Sequence, residues 1–482
     1  MRFEPLLALL TGCTLLSFKP MYPCEADSES PPESTPPPDP ERLWSEADLL
    51  LFGEPDDRVG WSFSGADVTR DGGADLLIGA PTCTDGGTSG GCVGVVWNNS
   101  DLGAPPRGAH ALNNADGFAT ASGGGGFGAG IAAWTGAQGA PELVVGAPEV
   151  QFESNRVGYA YLFPPPEGAT EVQQTATLLE GTYEDYLGLS VVNVGDVNGD
   201  GAEDLVVGAP YDGLTTQGSG VAWLLQGGSV TGSGSIQSVG NAIYSTSSGA
   251  IGLVVASLDN NQDGFQDLVF GTGSFIPNSN DGGAWLLEGS RRLSGDLDSI
   301  GAIPILGSDG EGAGAAVAAG DDLDGDGLDD IAVGAPQRDE AAGRVYILPG
   351  PIAGLTDLST APVILVGTDS YMYVGSAVGL PGDVNGDGYA DLLTAGFVGY
   401  VPDQADGRGA VWLFHGPITE SRDVGAADIT FTQDNERSGG EVVLSRVGDV
   451  DGDGAAEIAF AYPNDDSFGQ DAGAFYLFYG PL

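Results

Sequence analysis

The chain has 482 residues, with 15 basic against 68 acidic and a formal net charge of −53. That balance excludes nucleic acid and anionic lipid surfaces as partners, since both need Lys or Arg to displace counterions, and the only lysine is Lys19. Glycine is the commonest residue at 81, and only 17% of residues are charged. No long stretch has apolar residues at i, i+3, i+4 and i+7, so many tight turns and very little helix are expected.

The first segment, "MRFEPLLALLTGC", has an early Arg, a short apolar run from Leu6 to Leu10, and then Leu-Thr-Gly-Cys. The tetrapeptide resembles a bacterial lipobox, which implies a signal peptide over 1–12 and lipidation of Cys13. Ordinary secretion and no export are the alternatives. Residues 13–46 read as a tether: six of the ten residues from Pro31 to Pro40 are proline, which makes a semi-rigid extended spacer of roughly 3.1 Å per residue. No apolar run reaches the ~18–20 residues that span a bilayer. Membrane contact is therefore expected only through the lipid anchor, with the protein in the cell envelope or outer membrane, or otherwise secreted.

From Ala47 to Leu482 one motif recurs. It starts at Asp67, Asp196, Asp259, Asp322, Asp383 and Asp449, as in "DVNGDGAEDLVVGAP" (196–210), with a degenerate copy at Trp134. The intervals are 61 to 67 residues. Seven copies in phase mark a repeat architecture. Each unit reads as an apolar strand, the acidic loop, a second strand, a third strand with aromatics such as "GVAWLLQG" (220–227), and a fourth such as "VILVG" (363–367). Four strands per unit and seven units predict an all-β, seven-bladed β-propeller over 47–482. A β-solenoid is the alternative, although its repeats are shorter. "ADLLLFGE" (47–54) reads as a fourth strand with no unit before it, and the chain ends after a third strand. The N-terminal strand is thus expected to complete the last blade and close the ring.

The acidic loops are not EF-hands. Those need a bidentate Glu at position 12 and flanking helices, whereas position 12 is Ile78, Val207, Phe270, Val333, Thr394 and Phe460. The spacing still suits calcium. Oxygens at positions 1, 3, 5 and 9 can converge when Gly at position 6 permits a sharp reversal, and calcium takes six to eight oxygens in irregular geometry.

The copies resemble FG-GAP repeats, the units of the integrin α-subunit propeller and of many bacterial surface proteins. The Phe/Leu-Gly half appears as "YLG" (186–188) and "YVG" (373–375), and Gly-Ala-Pro stands at 79–81, 146–148, 208–210 and 334–336. The resemblance implies calcium in the loops between first and second strands, on one face, and ligand recognition on the other. Up to six Ca²⁺ are expected. The implied ligand sets are Asp196, Asn198, Asp200, Asp204; Asp259, Asn261, Asp263, Asp267; Asp322, Asp324, Asp326, Asp330; and Asp383, Asn385, Asp387, Asp391. A fifth is Asp449, Asp451, Asp453, Glu457. The first, Asp67, Thr69, Asp71, Asp75, has a neutral hydroxyl at position 3 and is expected to bind more weakly. The second copy, with Trp134, Gly136, Gln138 and Glu142, is expected to hold no metal.

Cys83 and Cys92 bracket "TDGGTSGG", a flexible connection in the first blade, and are expected to form a disulfide in an exported protein. The ligand face is expected to be built by fourth-to-first and second-to-third connections, with Tyr183, Tyr211 and Tyr371 among its anchors. The two histidines, His110 and His415, have no catalytic partners in the sequence, and no nucleophile elbow, His-Glu-x-x-His helix or phosphate loop occurs. The sequence therefore points to a non-catalytic, monomeric binding or adhesion module for an unknown protein or glycan ligand. A structural envelope protein and a carboxylate-based hydrolase or lyase are the alternatives.

Overall fold

Seven β-sheets stand around a common axis in the computed structural model. It describes residues 41–482, apart from 86–87, 99–106, 122–124, 136–138, 153–154, 173–174, 183–184, 213–219, 247–249, 273–281, 292, 309, 402–405 and 434–440. Blade 1 is built of Ser62–Ala66, Asp75–Ala80, Cys92–Val96 and Gly117–Thr120. Blade 2 uses Ile131–Thr135, Pro141–Ala147, Tyr159–Phe163 and Thr177–Glu180, and blade 3 Val191–Gly195, Asp204–Ala209, Val221–Leu225 and Asn241–Tyr244. Blade 4 uses Val254–Leu258, Asp267–Gly271, Gly283–Leu287 and Ile303–Leu306. Blade 5 uses Ala316–Asp321, Asp330–Ala335, Arg344–Leu348 and Val363–Val366, and blade 6 Ala377–Gly382, Asp391–Val401, Asp406–Phe414 and Ile429–Thr432. Blade 7 joins Val443–Leu444, Ile458–Tyr462 and Ala474–Phe478 to the N-terminal Leu49–Phe52. The ring is closed by the N-terminal strand, and no helix among the described residues exceeds four residues.

Each blade has five strands rather than four. The fifth is a short parallel strand from the third-to-fourth connection of the next blade: Gly168–Glu171 on blade 1, Gly234–Ser235 on blade 2, Gly295–Asp296 on blade 3 and Thr356–Asp357 on blade 4. Arg422–Asp423 extends blade 5 and Gly108–Ala111 extends blade 7. These links cover the outer edge of each fourth strand. Two to four residues long and mostly polar, they carry no hydrophobic alternation by which the sequence could mark them.

The fifth strand of blade 6 is Glu41–Leu43, which runs parallel to Ile429–Thr432. Trp44, one residue on, is 1% exposed and lies against Phe460, Tyr462 and Tyr476 at ring distances of 5.4–5.6 Å. Pairing with the blades therefore begins six residues ahead of Ala47. The polar residues around Trp44 hid its role until the partner blade was in place.

Second and third strands are buried at nearly every position, because each blade is packed on both faces by its neighbours. The repeated glycines allow that packing. A Cβ at Gly146 would lie 1.7 Å from the carbonyl oxygen of Gly188 in the next blade, and one at Gly208 1.9 Å from that of Gly252. The glycine of Gly-Ala-Pro thus meets the Phe/Leu-Gly glycine of the following unit, backbone against backbone. First strands ring a central channel of about 530 Å³. Cys83 and Cys92 form a disulfide across the second-to-third connection of blade 1, with Cα atoms 5.6 Å apart.

Candidate metal centres and the opposite face

Antiparallel blades place all first-to-second connections at one end of the ring, so the six intact acidic loops share one face. Each is folded by its own carboxylates. In blade 3, Asp196 at position 1 accepts the backbone N–H groups of Gly199, Asp200 and Gly201 at 2.7, 3.2 and 2.8 Å. Asp322 does the same in blade 5 and Asp383 in blade 6. Asp449, Asp259 and Asp67 accept the N–H at position 6 of their loops at 3.0 Å. At position 5, Asp71, Asp200, Asp263, Asp326, Asp387 and Asp453 each accept the N–H of position 7. Acids that would repel one another are thereby held on a turn by backbone dipoles.

Position 9 has a second task that the spacing alone did not disclose. It opens the second strand, or in blade 7 stands one residue before it, and is buried in every intact copy: Asp75, Asp204, Asp267, Asp330 and Asp391 are 0% exposed and Glu457 1%. One oxygen of each Asp accepts the N–H of position 2, from Val68, Val197, Asn260, Leu323 and Val384. The other accepts an N–H just past the third strand, from Asn98, Gly227, Gly289, Gly350 and Gly416. The carboxylate therefore brackets loop and blade together. The repeated Gly after the third strand was the sequence signal for it. His415 joins this arrangement in blade 6, its Nδ1 3.2 Å from Asp391 Oδ1, and that bond raises the imidazole pKa.

Burial pushes Asp204, Asp267 and Asp330 up to about 6 and Glu457 up to about 8. Glu457 differs from the other five. Its Oε2 accepts from Val450 N–H at 2.5 Å, while Oε1 is buried and accepts no hydrogen bond among the described residues. Asp449, Asp451, Asp453 and Glu457 bring one oxygen each within 4.8 Å of one another. Asp322, Asp324 and Asp330 do the same, with Asp326 outside that group. These two clusters could hold a metal ion, because hard cations need several converging oxygens.

The other sets converge less. Blades 1, 3, 4 and 6 have Thr69, Asn198, Asn261 and Asn385 at position 3, and among the described residues their acids form no group of three within that distance. Asn198 donates its amide to both oxygens of Asp204 at 3.1 and 3.0 Å. In the second copy Trp134 lies near the end of a first strand and donates its indole N–H to Glu203 O at 2.8 Å. Gly136 and Gln138 lie outside the described residues, as do Cys13, the rest of residues 1–40, and Tyr183.

Tyr211 and Tyr371 lie on the face opposite the acidic loops, in a second-to-third and a fourth-to-first connection respectively. Tyr371 is exposed, whereas Tyr211 is half-buried against Tyr186 at 5.2 Å. In blade 6 the second and third strands run long, Asp391–Val401 and Asp406–Phe414, and take up most of the connection between them outside 402–405. His110 is exposed on the fifth strand of blade 7, its ring Nε2 2.9 Å from Arg107 O. No helix among the described residues is long and apolar enough to cross a membrane.

A family model described as FG-GAP repeat matches residues 188–225 and 313–348. Each match runs from a Phe/Leu-Gly turn through the acidic loop to the third strand, in blades 3 and 5. Integrin alpha-5 of Xenopus laevis is 33% identical over 227 residues, covering 45% of this chain and 20% of that protein. Integrin alpha-V of Gallus gallus is 31% identical over 234 residues, 44% of this chain and 20% of that protein. Phosphatidylinositol-glycan-specific phospholipase D of Homo sapiens is 33% identical over 165 residues, 32% of this chain and 19% of that protein. The matched stretches span about a fifth of each relative's length. By these matches and its ring of blades, the chain carries FG-GAP repeats in a seven-bladed, integrin α-like β-propeller.

Proposed function

We propose that this protein is a calcium-dependent, non-catalytic binding or adhesion module of the cell surface. Calcium would sit in the acidic loops of one face, and a protein or glycan ligand would be held on the other. The observation that carries the metal reading is Glu457: a buried carboxylate oxygen without a hydrogen bond, inside a group of four acids. Asp449, Asp451, Asp453 and Glu457 would be its ligands, followed by Asp322, Asp324 and Asp330, and a cation would supply charge neutralisation rather than chemistry.

The resemblance to integrin α subunits supports ligand recognition as the task. The similarity to a phospholipase D covers only 19% of that protein; of the two histidines, His110 faces a backbone carbonyl and His415 is held by the bracket carboxylate of Asp391. The topology also supports an anchored arrangement. Glu41–Leu43 runs parallel to the fourth strand of blade 6, so residue 41 enters at the metal-loop end. Attachment through residues 1–40, with Cys13 lipidated, would then turn the opposite face outward.

Calorimetric titration of chelator-stripped protein with calcium tests the metal reading, and binding to arrayed glycans and envelope proteins with and without chelator tests the module. Saturable calcium uptake with calcium-dependent ligand binding is expected. Turnover in a glycan and ester screen, or no calcium uptake, would overturn the reading.

A further inference from the structure

The first strand of blade 7 enters its acidic loop with a shorter ladder than any other. It is two residues long, Val443–Leu444, where the other six are five or six. In blades 1, 3, 4, 5 and 6 the ladder runs to the last residue before position 1. Ala66 pairs there with Asp75, Gly195 with Asp204, Leu258 with Asp267, Asp321 with Asp330 and Gly382 with Asp391. In blade 7 it stops at Leu444, opposite Phe460. Nearer the loop, the one backbone bond between the two strands among the described residues is Glu457 N–H to Gly448 O, at 3.1 Å. Residues 445–447, which lead into Asp449, are left to other blades.

Two of those blades hold Arg446. Gly65 of blade 1 donates its N–H to Arg446 O at 3.2 Å, and a Cβ on that glycine would lie 1.9 Å from Val447 O. On the other side, Arg446 Nη1 donates to both oxygens of Asp321 at 3.0 Å. Asp321 ends the first strand of blade 5, so the pair skips blade 6 altogether. It passes Gly382 of that blade, where a Cβ would lie 3.3 Å from Arg446 Nη2. Among the described residues that line the central channel, Arg446 and Asp321 are the only charged ones. Asp321 immediately precedes Asp322, and Arg446 stands three residues before Asp449. The pair therefore joins, across the channel, the two loops whose acids converge.

Resting on the calcium reading above, we propose that Arg446 and Asp321 are positioning residues for the blade 7 metal centre. Neither is a ligand. The pair fixes the main chain that delivers Asp449, so that Asp449, Asp451 and Asp453 stand around the open Oε1 of Glu457 before a cation arrives. A guanidinium held on a carboxylate that is 16% exposed has a defined direction, whereas a ladder of two residue pairs sets the loop entry only loosely. Residues that orient metal ligands commonly matter roughly ten- to a hundredfold for affinity. Coulomb's law alone predicts the opposite effect: a positive charge beside a cation site opposes binding, so its removal should tighten the site.

The test is calorimetric titration of the chelator-stripped full chain with calcium chloride. The step that Glu457→Gln removes marks the blade 7 centre. Arg446→Gln should weaken that step about tenfold or more, against the Coulomb expectation, and Asp321→Asn, in another blade, should weaken it about as much. The double variant should be no weaker than either single one, because one pair is lost once. In chelator, where no ligand needs placing, the melting temperature of Arg446→Gln should stay within about 2 °C of the wild type, since a half-exposed pair contributes little to the fold. An unchanged or tighter step in Arg446→Gln, or additive losses in the double variant, would overturn the proposal. So would a larger fall of the melt in chelator, which would make the pair a staple of the whole ring. No calcium uptake by the wild type, or no step lost in Glu457→Gln, sinks the calcium reading and this proposal with it; uptake that Arg446→Gln leaves intact sinks only the positioning role.

Discussion

Replacing Glu457 with glutamine should change the stability of the protein in opposite directions with and without calcium. In the cation-free protein, burial raises this carboxyl from 4.5 to about 8. The folded state then keeps a proton that the unfolded chain has lost. Below the unfolded value both states are protonated and nothing is lost; stability falls as pH rises towards about 8 and levels off beyond it. At pH 7 the difference is about 2.5 pH units at 1.36 kcal/mol each, or roughly 3 kcal/mol. The glutamine side chain carries no such proton, and its carbonyl could still accept from Val450 N–H, so in chelator E457Q should be more stable by up to that amount. With calcium bound, the native carboxylate is a ligand. A site with a dissociation constant of ~0.1 mM at ~1 mM calcium contributes about 1.4 kcal/mol, which the variant would lose. Urea unfolding at pH 7, followed by tryptophan fluorescence in calcium and in chelator, reads both arms. A shift of the same sign in the two conditions would refute Glu457 as a metal ligand.

Three further outcomes are expected. In chelator, melting temperature should rise as pH falls from 8 towards 5, because Glu457 (about 8) and Asp204, Asp267 and Asp330 (about 6) take up protons in the folded state first; calcium should flatten this slope, and a falling profile would contradict it. Stripping calcium from the two converging clusters, at about 1.4 kcal/mol each, should cost up to about 3 kcal/mol, and Asp324→Ala should reproduce part of that loss in thermal melts while Gln138→Ala should not. The double variant Cys83→Ser, Cys92→Ser should lose roughly 2–3 kcal/mol, the entropy of a short closed loop, measured by urea unfolding against the oxidised wild type; an unchanged midpoint would show that the connection is held by its packing alone.

The ring of seven blades and the face that carries the acidic loops were legible in the sequence because their determinants are local. Asp196 folds its own loop through N–H groups three to five residues ahead, and glycine pairs such as Gly146 and Gly188 recur in phase with the blades. Interactions between units were not legible. The fifth strands, and Glu41–Leu43 with Trp44 among them, exist only because a neighbouring blade offers a free edge. Spacing proposed four ligands in each of six loops, but only packing decides which oxygens converge. It spends both oxygens of Asp204 on backbone N–H groups from two parts of a blade and leaves Glu457 Oε1 open. A repeated local pattern specifies one blade at a time, whereas burial and ligand convergence are set by the atoms the neighbouring blades bring.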